Sequence, residues 1–166
     1  MQNDHAISRR AFLAGVGSLP FLLSTPVTGY AASLPLVTVT KDPSCGCCTG
    51  WAEHIEAAGF PVRIVESQNI DGLKQRLGVP PALYSCHTAE VDGYVVEGHV
   101  PAAAIQRLLT ERPAATGLAV PGMPAGSPGM DFPGVTAEPY EVFLFAPADQ
   151  KVFGRFRGGQ EVSIYV

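Results

Sequence analysis

A β-branched apolar run, Leu36-Val37-Thr38-Val39-Thr40, gives way within a few residues to three cysteines, Cys45, Cys47 and Cys48, which open directly onto a helical pattern. No other feature constrains the fold as tightly. The run reads as a buried strand, ended by Lys41-Asp42-Pro43-Ser44. Trp51, Ile55 and Ala58 then recur at i, i+4 and i+7, which gives the following helix one core face, and Gly59 is the expected stop. Val62–Val65 reads as a second strand. A strand–helix–strand opening implies a parallel pair joined by a right-handed crossover. The three thiols therefore belong to a loop at a strand–helix junction.

The pattern continues in the same style. Asn69 is a candidate helix cap for Ile70, Leu73 and Leu77, with Gly78 as the stop. Val79-Pro80-Pro81 forces an extended backbone. Leu83–Ala89 and Tyr94–Glu97 read as a hairpin turned at Val91-Asp92-Gly93. Pro101 opens a helix whose inner face is Ala104, Ile105, Leu108 and Leu109. The order β-α-β-α-β-β-α predicts a small α/β fold with a mixed sheet and helices on both faces. Residues 113–139 break the pattern: 11 of 27 are Gly or Pro, which reads as a long loop, ordered or not. Tyr140–Phe145 and Val152–Arg157 form a last hairpin around Pro147–Gln150.

Ahead of the first strand, Ser8-Arg9-Arg10-Ala11-Phe12-Leu13 is a twin-arginine pattern, followed by an apolar stretch to Leu23 and a small-x-small site at Gly29 and Ala31. Residues 1–31 are expected to be a twin-arginine signal peptide, and 36–157 one metal-binding domain. The apolar stretch is short and broken by Gly15, Gly17 and Pro20, a poor membrane span. The destination would be the periplasm, and the mature form would not span a membrane. The formal charge of −4 argues against nucleic acid as a partner.

Cys45 and Cys48 have C-x-x-C spacing, which at a β–α junction is similar to the redox motif of thioredoxins. A helix N-terminus favours thiolate, the form that is both nucleophile and metal ligand. Cys47 separates the two uses. A redox pair needs two sulfurs, whereas a soft metal site gains from a third, because thiolates select Cu(I), zinc or iron–sulfur clusters. Cys86 supplies a fourth sulfur after Val79-Pro80-Pro81. In thioredoxin-like folds the segment following a cis-proline lies against the C-x-x-C loop, and that architecture would bring Cys86 to the other three. Two alternatives stay open: a pair of disulfides such as Cys45–Cys48 with Cys47–Cys86, and a tetrahedral zinc site, which adjacent Cys47 and Cys48 fit poorly.

Cys45-Gly46-Cys47-Cys48-x-x-Trp51-x-x-His54, Val79-Pro80, Ser85-Cys86-His87-Thr88-Ala89, Gly93-Tyr94-Val95-Val96-Glu97-Gly98-His99-Val100-Pro101 and the run from Gly117-Leu118-Ala119-Val120-Pro121-Gly122-Met123-Pro124 through Gly126-Ser127-Pro128-Gly129-Met130 occur in this order. Together they resemble the CopG-type copper-resistance proteins, an exported metal-binding family, over about Leu36 to Arg157. The resemblance implies a thioredoxin-like three-layer fold and a cysteine-bridged polynuclear Cu(I) site. It also implies a role in periplasmic copper handling, with redox chemistry at the same sulfurs as the alternative. Copper ions, and another periplasmic copper protein, are the partners it implies.

Cys45, Cys47, Cys48 and Cys86 are thus the candidate metal ligands, and no catalytic residue is assigned. His54 lies two turns along the helix from Cys47, roughly 10 Å away, too far to share an ion with it. His87 follows Cys86, and a regular strand would aim the two side chains at opposite faces. Metal binding by His87 therefore requires an irregular strand. His99, just before Val100-Pro101, is divided between packing and the site. Met123 and Met130, the methionines of the mature chain, both fall in the Gly/Pro-rich loop. Their soft thioethers make that loop a candidate copper-facing lid, against the plainer role of filling gaps. Trp51 is expected in the core, and Arg155 and Arg157 on a solvated strand face.

Overall fold

The computed structural model describes residues 33–163, so the leader expected at 1–31 lies outside them. In chain order the elements are β1 (Val37–Lys41), α1 (Gly46–Ala57), β2 (Val62–Glu66), α2 (Ile70–Arg76), a single 3₁₀ turn (Pro81–Leu83), β3 (His87–Val91) and β4 (Tyr94–Glu97). They continue with α3 (Ala102–Glu111), β5 (Gly117–Ala119), β6 (Pro139–Ala146), β7 (Asp149–Arg157) and β8 (Gln160–Glu161). All eight strands join one open mixed sheet in the order β2-β1-β3-β4-β5-β6-β7-β8. β1 and β2 are parallel, as the strand–helix–strand reading requires, and so are β4 and β5 across α3.

Alternation along the strands sorts the core into two sides. Val96, Leu118 and Leu144 share one cluster with Trp51 and Ile55 of α1 and Ile105 and Leu108 of α3. Their chain neighbours Val95, Ala119 and Phe145 fall in a second cluster with Val79, Leu83 and Leu77. Successive strand residues point to opposite faces. α1 and α3 therefore cover one face, while the end of α2 and the 3₁₀ turn lie on the other.

Three expectations need correction. The strand read as Leu83–Ala89 starts only at His87, because Pro80 and Pro81 feed a 3₁₀ turn whose Leu83 N–H donates to Pro80 O at 2.8 Å. Every peptide bond among the described residues is trans, so no cis-proline delivers Cys86 to the cysteine loop. The Gly/Pro-rich stretch also contains a strand, β5, at its start. Gly117 makes this possible: a Cβ there would lie 1.7 Å from Val95 O.

Candidate metal centre

β1 delivers the cysteine loop. Its last residue, Lys41, is 5% exposed, and its ammonium donates to Asp42 O at 3.1 Å and to Pro43 O and Cys45 O at 3.4 Å. Asp42 turns the loop by accepting from Ser44 N at 2.8 Å, and Cys45 N donates to Asp42 O at 3.0 Å. Cys45 occupies the N-cap of α1 with no side-chain cap bond. Cys47 and Cys48 lie in the first helical turn, beside its orphan N–H groups and the positive end of the helix dipole.

Opposite the loop, Cys86 precedes β3, which pairs antiparallel with β1 so that Lys41 faces His87. The four ligand atoms of Cys45, Cys47, Cys48 and Cys86 all lie within 4.8 Å of one another. Cys45 and Cys48 form a disulfide with a Cα–Cα separation of 5.4 Å, while Cys47 and Cys86 are free thiols. Cys47 Sγ stands 3.5 Å from Cys45 Sγ and 3.9 Å from Cys86 Sγ. The alternative of two disulfides is thus realised in its first pair and not in its second.

Cys86 is also the corner of a second group, with His87 and His99, whose ligand atoms again fall within 4.8 Å. Its Sγ is 3.0 Å from His99 Nε2 and 3.3 Å from His87 Nδ1. His87 reaches Cys86 because β3 begins only at His87, so strand alternation does not govern the Cys86–His87 step. His87 packs on the α1 side against Trp51, ring centroids 4.4 Å apart, and edge-on to His99. Both histidines are fully buried. Burial holds His87 well below its ordinary pKa, helped by His99, and holds His99 down as well. Burial, with Cys47 alongside, pushes the Cys86 thiol up to about 12.

The Gly/Pro-rich loop supplies the orientation of His99. Pro128 O lies 2.8 Å from His99 Nδ1. A carbonyl only accepts, so Nδ1 carries the proton and Nε2 presents its lone pair toward Cys86. The loop is tied to itself: Met130 N donates to Ser127 O at 2.7 Å and Gly126 N to Met130 O at 3.0 Å. It is pressed onto α1, where a Cβ on Gly129 would meet Cys47 O at 2.5 Å and Trp51 N at 2.6 Å. Met130 is half-buried beside this contact, whereas Met123 is 53% exposed. Met123 follows Gly122, whose carbonyl accepts from Ser85 Oγ, so the loop also touches the Cys86 side.

His54 stands apart. Its Nε2 accepts from Ala102 N at 3.1 Å, capping the start of α3. Trp51 is fully buried, its Nε1 donating to Val100 O at 2.8 Å, and the exposed Arg155 pairs with Glu141. Sequence reasoning missed Lys41 and a fully buried pair, Lys74 and Glu97, joined at 2.5 Å behind the Cys86 segment. A lysine on a short helix and a glutamate ending a strand carry no pattern that marks them as partners.

Sulfur and imidazole donors are soft to borderline, the set that suits Cu(I) and zinc. His87 turns Nδ1 to Cys86, while its other ring nitrogen, Nε2, is buried with no hydrogen-bond partner among the described residues. The donor set therefore fits a soft metal ion.

A family model described as "Protein of unknown function, DUF411" matches residues 83–130, the segment holding Cys86, His87, His99 and the Gly/Pro-rich loop. No curated protein matches the sequence. Two solved structures do, titled "Copper resistance protein copG", Form 2 and Form 1. Each is 42% identical, with TM-scores of 0.70 and 0.69, covering 74% and 75% of this chain and 98% and 99% of theirs. At that identity, over nearly the whole of those relatives, the chain belongs to the CopG family of copper resistance proteins.

Proposed function

We propose that this protein is an exported copper-binding protein that holds Cu(I), as a cysteine-bridged polynuclear cluster, in periplasmic copper resistance. Thiolates of Cys45, Cys47, Cys48 and Cys86 are the primary ligands, with His87 and His99 at the Cys86 corner and Met123 and Met130 on the covering loop. The observation that carries this reading is the convergence of four sulfurs within 4.8 Å from two distant chain segments. Adjacent Cys47 and Cys48 suit bridging between ions better than one zinc tetrahedron. The order and directions of β2-β1-β3-β4 support a thioredoxin-like reading of the first half of the fold. Export rests on Ser8-Arg9-Arg10 and the apolar stretch behind it.

The test is the metal content and free-thiol count of the mature protein, purified and reconstituted without oxygen. Several coppers and no disulfide are expected, with copper stoichiometry falling sharply in Cys47→Ser. Two disulfides and no metal, or unchanged copper in Cys47→Ser, overturn the reading.

The Cys45–Cys48 disulfide at the N-terminus of α1 favours a second activity on the same sulfurs, a copper-coupled or thiol–disulfide oxidoreductase. The two thiolates of the reduced pair each give one electron to a Cu(II) ion. One S–S bond and two Cu(I) ions result, and Cys47 and Cys86 remain as soft ligands. Reduction of two Cu(II) per reduced protein, kept in Cys47→Ser and lost in Cys45→Ser, is the expected result. No reduction by the fully reduced protein would exclude this activity and leave the binding role intact.

A further inference from the structure

The Cys86 corner is not held by the sheet alone. Cys86 and Ser85 lie outside β3, between the 3₁₀ turn and the first strand residue. Beneath them is a closed circuit of buried polar groups. Lys74 of α2, Thr88 of β3 and Glu97 of β4 are each at most 1% exposed. The Lys74 ammonium donates to Glu97 Oε1 at 2.5 Å and to Thr88 Oγ1 at 2.9 Å. Thr88 Oγ1 donates in turn to Glu97 Oε2 at 2.7 Å. The remaining donor is Ser85 N, which reaches Glu97 Oε1 at 2.6 Å. Every partner of the carboxylate donates, so both of its oxygens are satisfied as acceptors.

This circuit brackets the ligand segment. Ser85 N is fixed one residue before Cys86, and Thr88, the register partner of Glu97, one residue after His87. Glu97 also ends β4 two residues before His99. A buried ion pair contributes little net stability compared with apolar residues of the same volume. Its use here lies in what it aims.

We propose that Glu97 is a positioning residue for the metal centre, its carboxylate, with Lys74 as its buried partner, holding Ser85 N–H and so setting where the Cys86 sulfur stands relative to Cys47, His87 and His99. The proposal rests on the copper-binding reading above. Outer partners that orient a metal ligand typically contribute about 10–100-fold in affinity.

The test compares two double variants of the full mature chain, because a single change would strand a buried charge. Lys74→Met/Glu97→Gln keeps a carbonyl oxygen to accept from Ser85 N, whereas Lys74→Met/Glu97→Leu does not. Cu(I) affinity is read by competition with a chromophoric chelator, and the thiolate-to-copper absorption by titration. The Leu variant is expected to lose about 10–100-fold in affinity with an altered absorption band, and the Gln variant to recover most of both. Equal affinity and the same band in both variants and in the parent overturn the proposal. Equal losses in both variants, tracking their loss of thermal stability, overturn it too, because the role would then be structural. A parent protein that binds no Cu(I) instead removes the copper-binding reading itself. Should neither variant fold, hydrogen exchange of the parent decides: a slowly exchanging Ser85 amide supports the anchor, and exchange at the rate of an exposed loop amide overturns it.

Discussion

Replacing Gly129 with alanine probes how firmly the Gly/Pro-rich loop is seated on the cysteine helix. Gly129 has φ +83, a left-handed conformation that costs an L residue about 1–2 kcal/mol. Its new Cβ would also stand 2.5 Å from Cys47 O and 2.6 Å from Trp51 N. Both are backbone atoms of α1, so no side chain can swing away, and the loop or the helix has to move. Overpacking of that kind costs about 1–3 kcal/mol more. The total is about 2–5 kcal/mol, or a Tm lowered by roughly 7–18 °C for a domain of this size. Gly134 is the matched control, with φ +86 and nothing within 4 Å of its Cβ position. Gly134→Ala carries only the backbone strain of about 1–2 kcal/mol. The assay is thermal unfolding of the two metal-free variants by circular dichroism, followed by Cu(I) competition. Gly129→Ala should also weaken copper binding, because moving the loop draws Pro128 O away from His99 Nδ1. Equal Tm losses in the two variants would refute the close seating of the loop, and unchanged copper affinity in Gly129→Ala would refute its part in aiming His99.

The metal-free protein should lose stability as pH falls below 6.5. Burial holds the folded pKa of His54 under that value, so the unfolded chain takes up the proton first. The stability that neutral His54 contributes is complete above 6.5 and drains away as pH drops toward the folded pKa. The slope is at most about 1.4 kcal/mol per pH unit for this group. His54→Gln should flatten that share of a Tm-against-pH curve, and a curve identical to the parent's would show that His54 does not titrate with unfolding. Copper binding should release protons near neutral pH, because a Cys86 thiol pushed up to about 12 has to deprotonate to ligate. Indicator-dye titration measures this, and uptake with no proton release would exclude Cys86 as a thiolate ligand. Trp51→Phe should cost about 2–4 kcal/mol in denaturant unfolding, since it strands the buried carbonyl of Val100 and leaves a gap against His87. A loss below about 1 kcal/mol would mean that water reaches that carbonyl.

What could be read beforehand depended on whether the deciding physics is periodic. α1 and α3 were legible because Trp51, Ile55, Ile105 and Leu108 repeat at helical spacing and are all buried. α2 misled: Ile70, Leu73 and Leu77 are only partly buried, and Lys74 is the side chain the helix buries. Hydropathy counts a lysine as exposed. Here Glu97 and Thr88 wait beneath it, and a charge with a full set of partners is at home inside. β5 was hidden because three residues are too few to alternate. Its Gly117 also read as a breaker when it in fact allows the close approach to Val95. At the site, the cysteines and their junction were plain from spacing. The nearness of His87 to Cys86 was not, since it follows from where β3 begins. Neither was the service of Pro128 to His99, which joins residues 29 positions apart.

The pairing of Lys41 with His87 has a kinetic consequence. It is the terminal rung of the β1–β3 ladder, and both halves of the centre depart from that rung: the cysteine loop leaves just after Lys41, and Cys86 arrives just before His87. An ion shared by Cys47 and Cys86, as proposed above, would act as a clasp on the end of the ladder, where strands ordinarily fray first. Residence time and fraying would then be one process, and a competitor that cannot reach the sulfurs would have to wait for the rung to open.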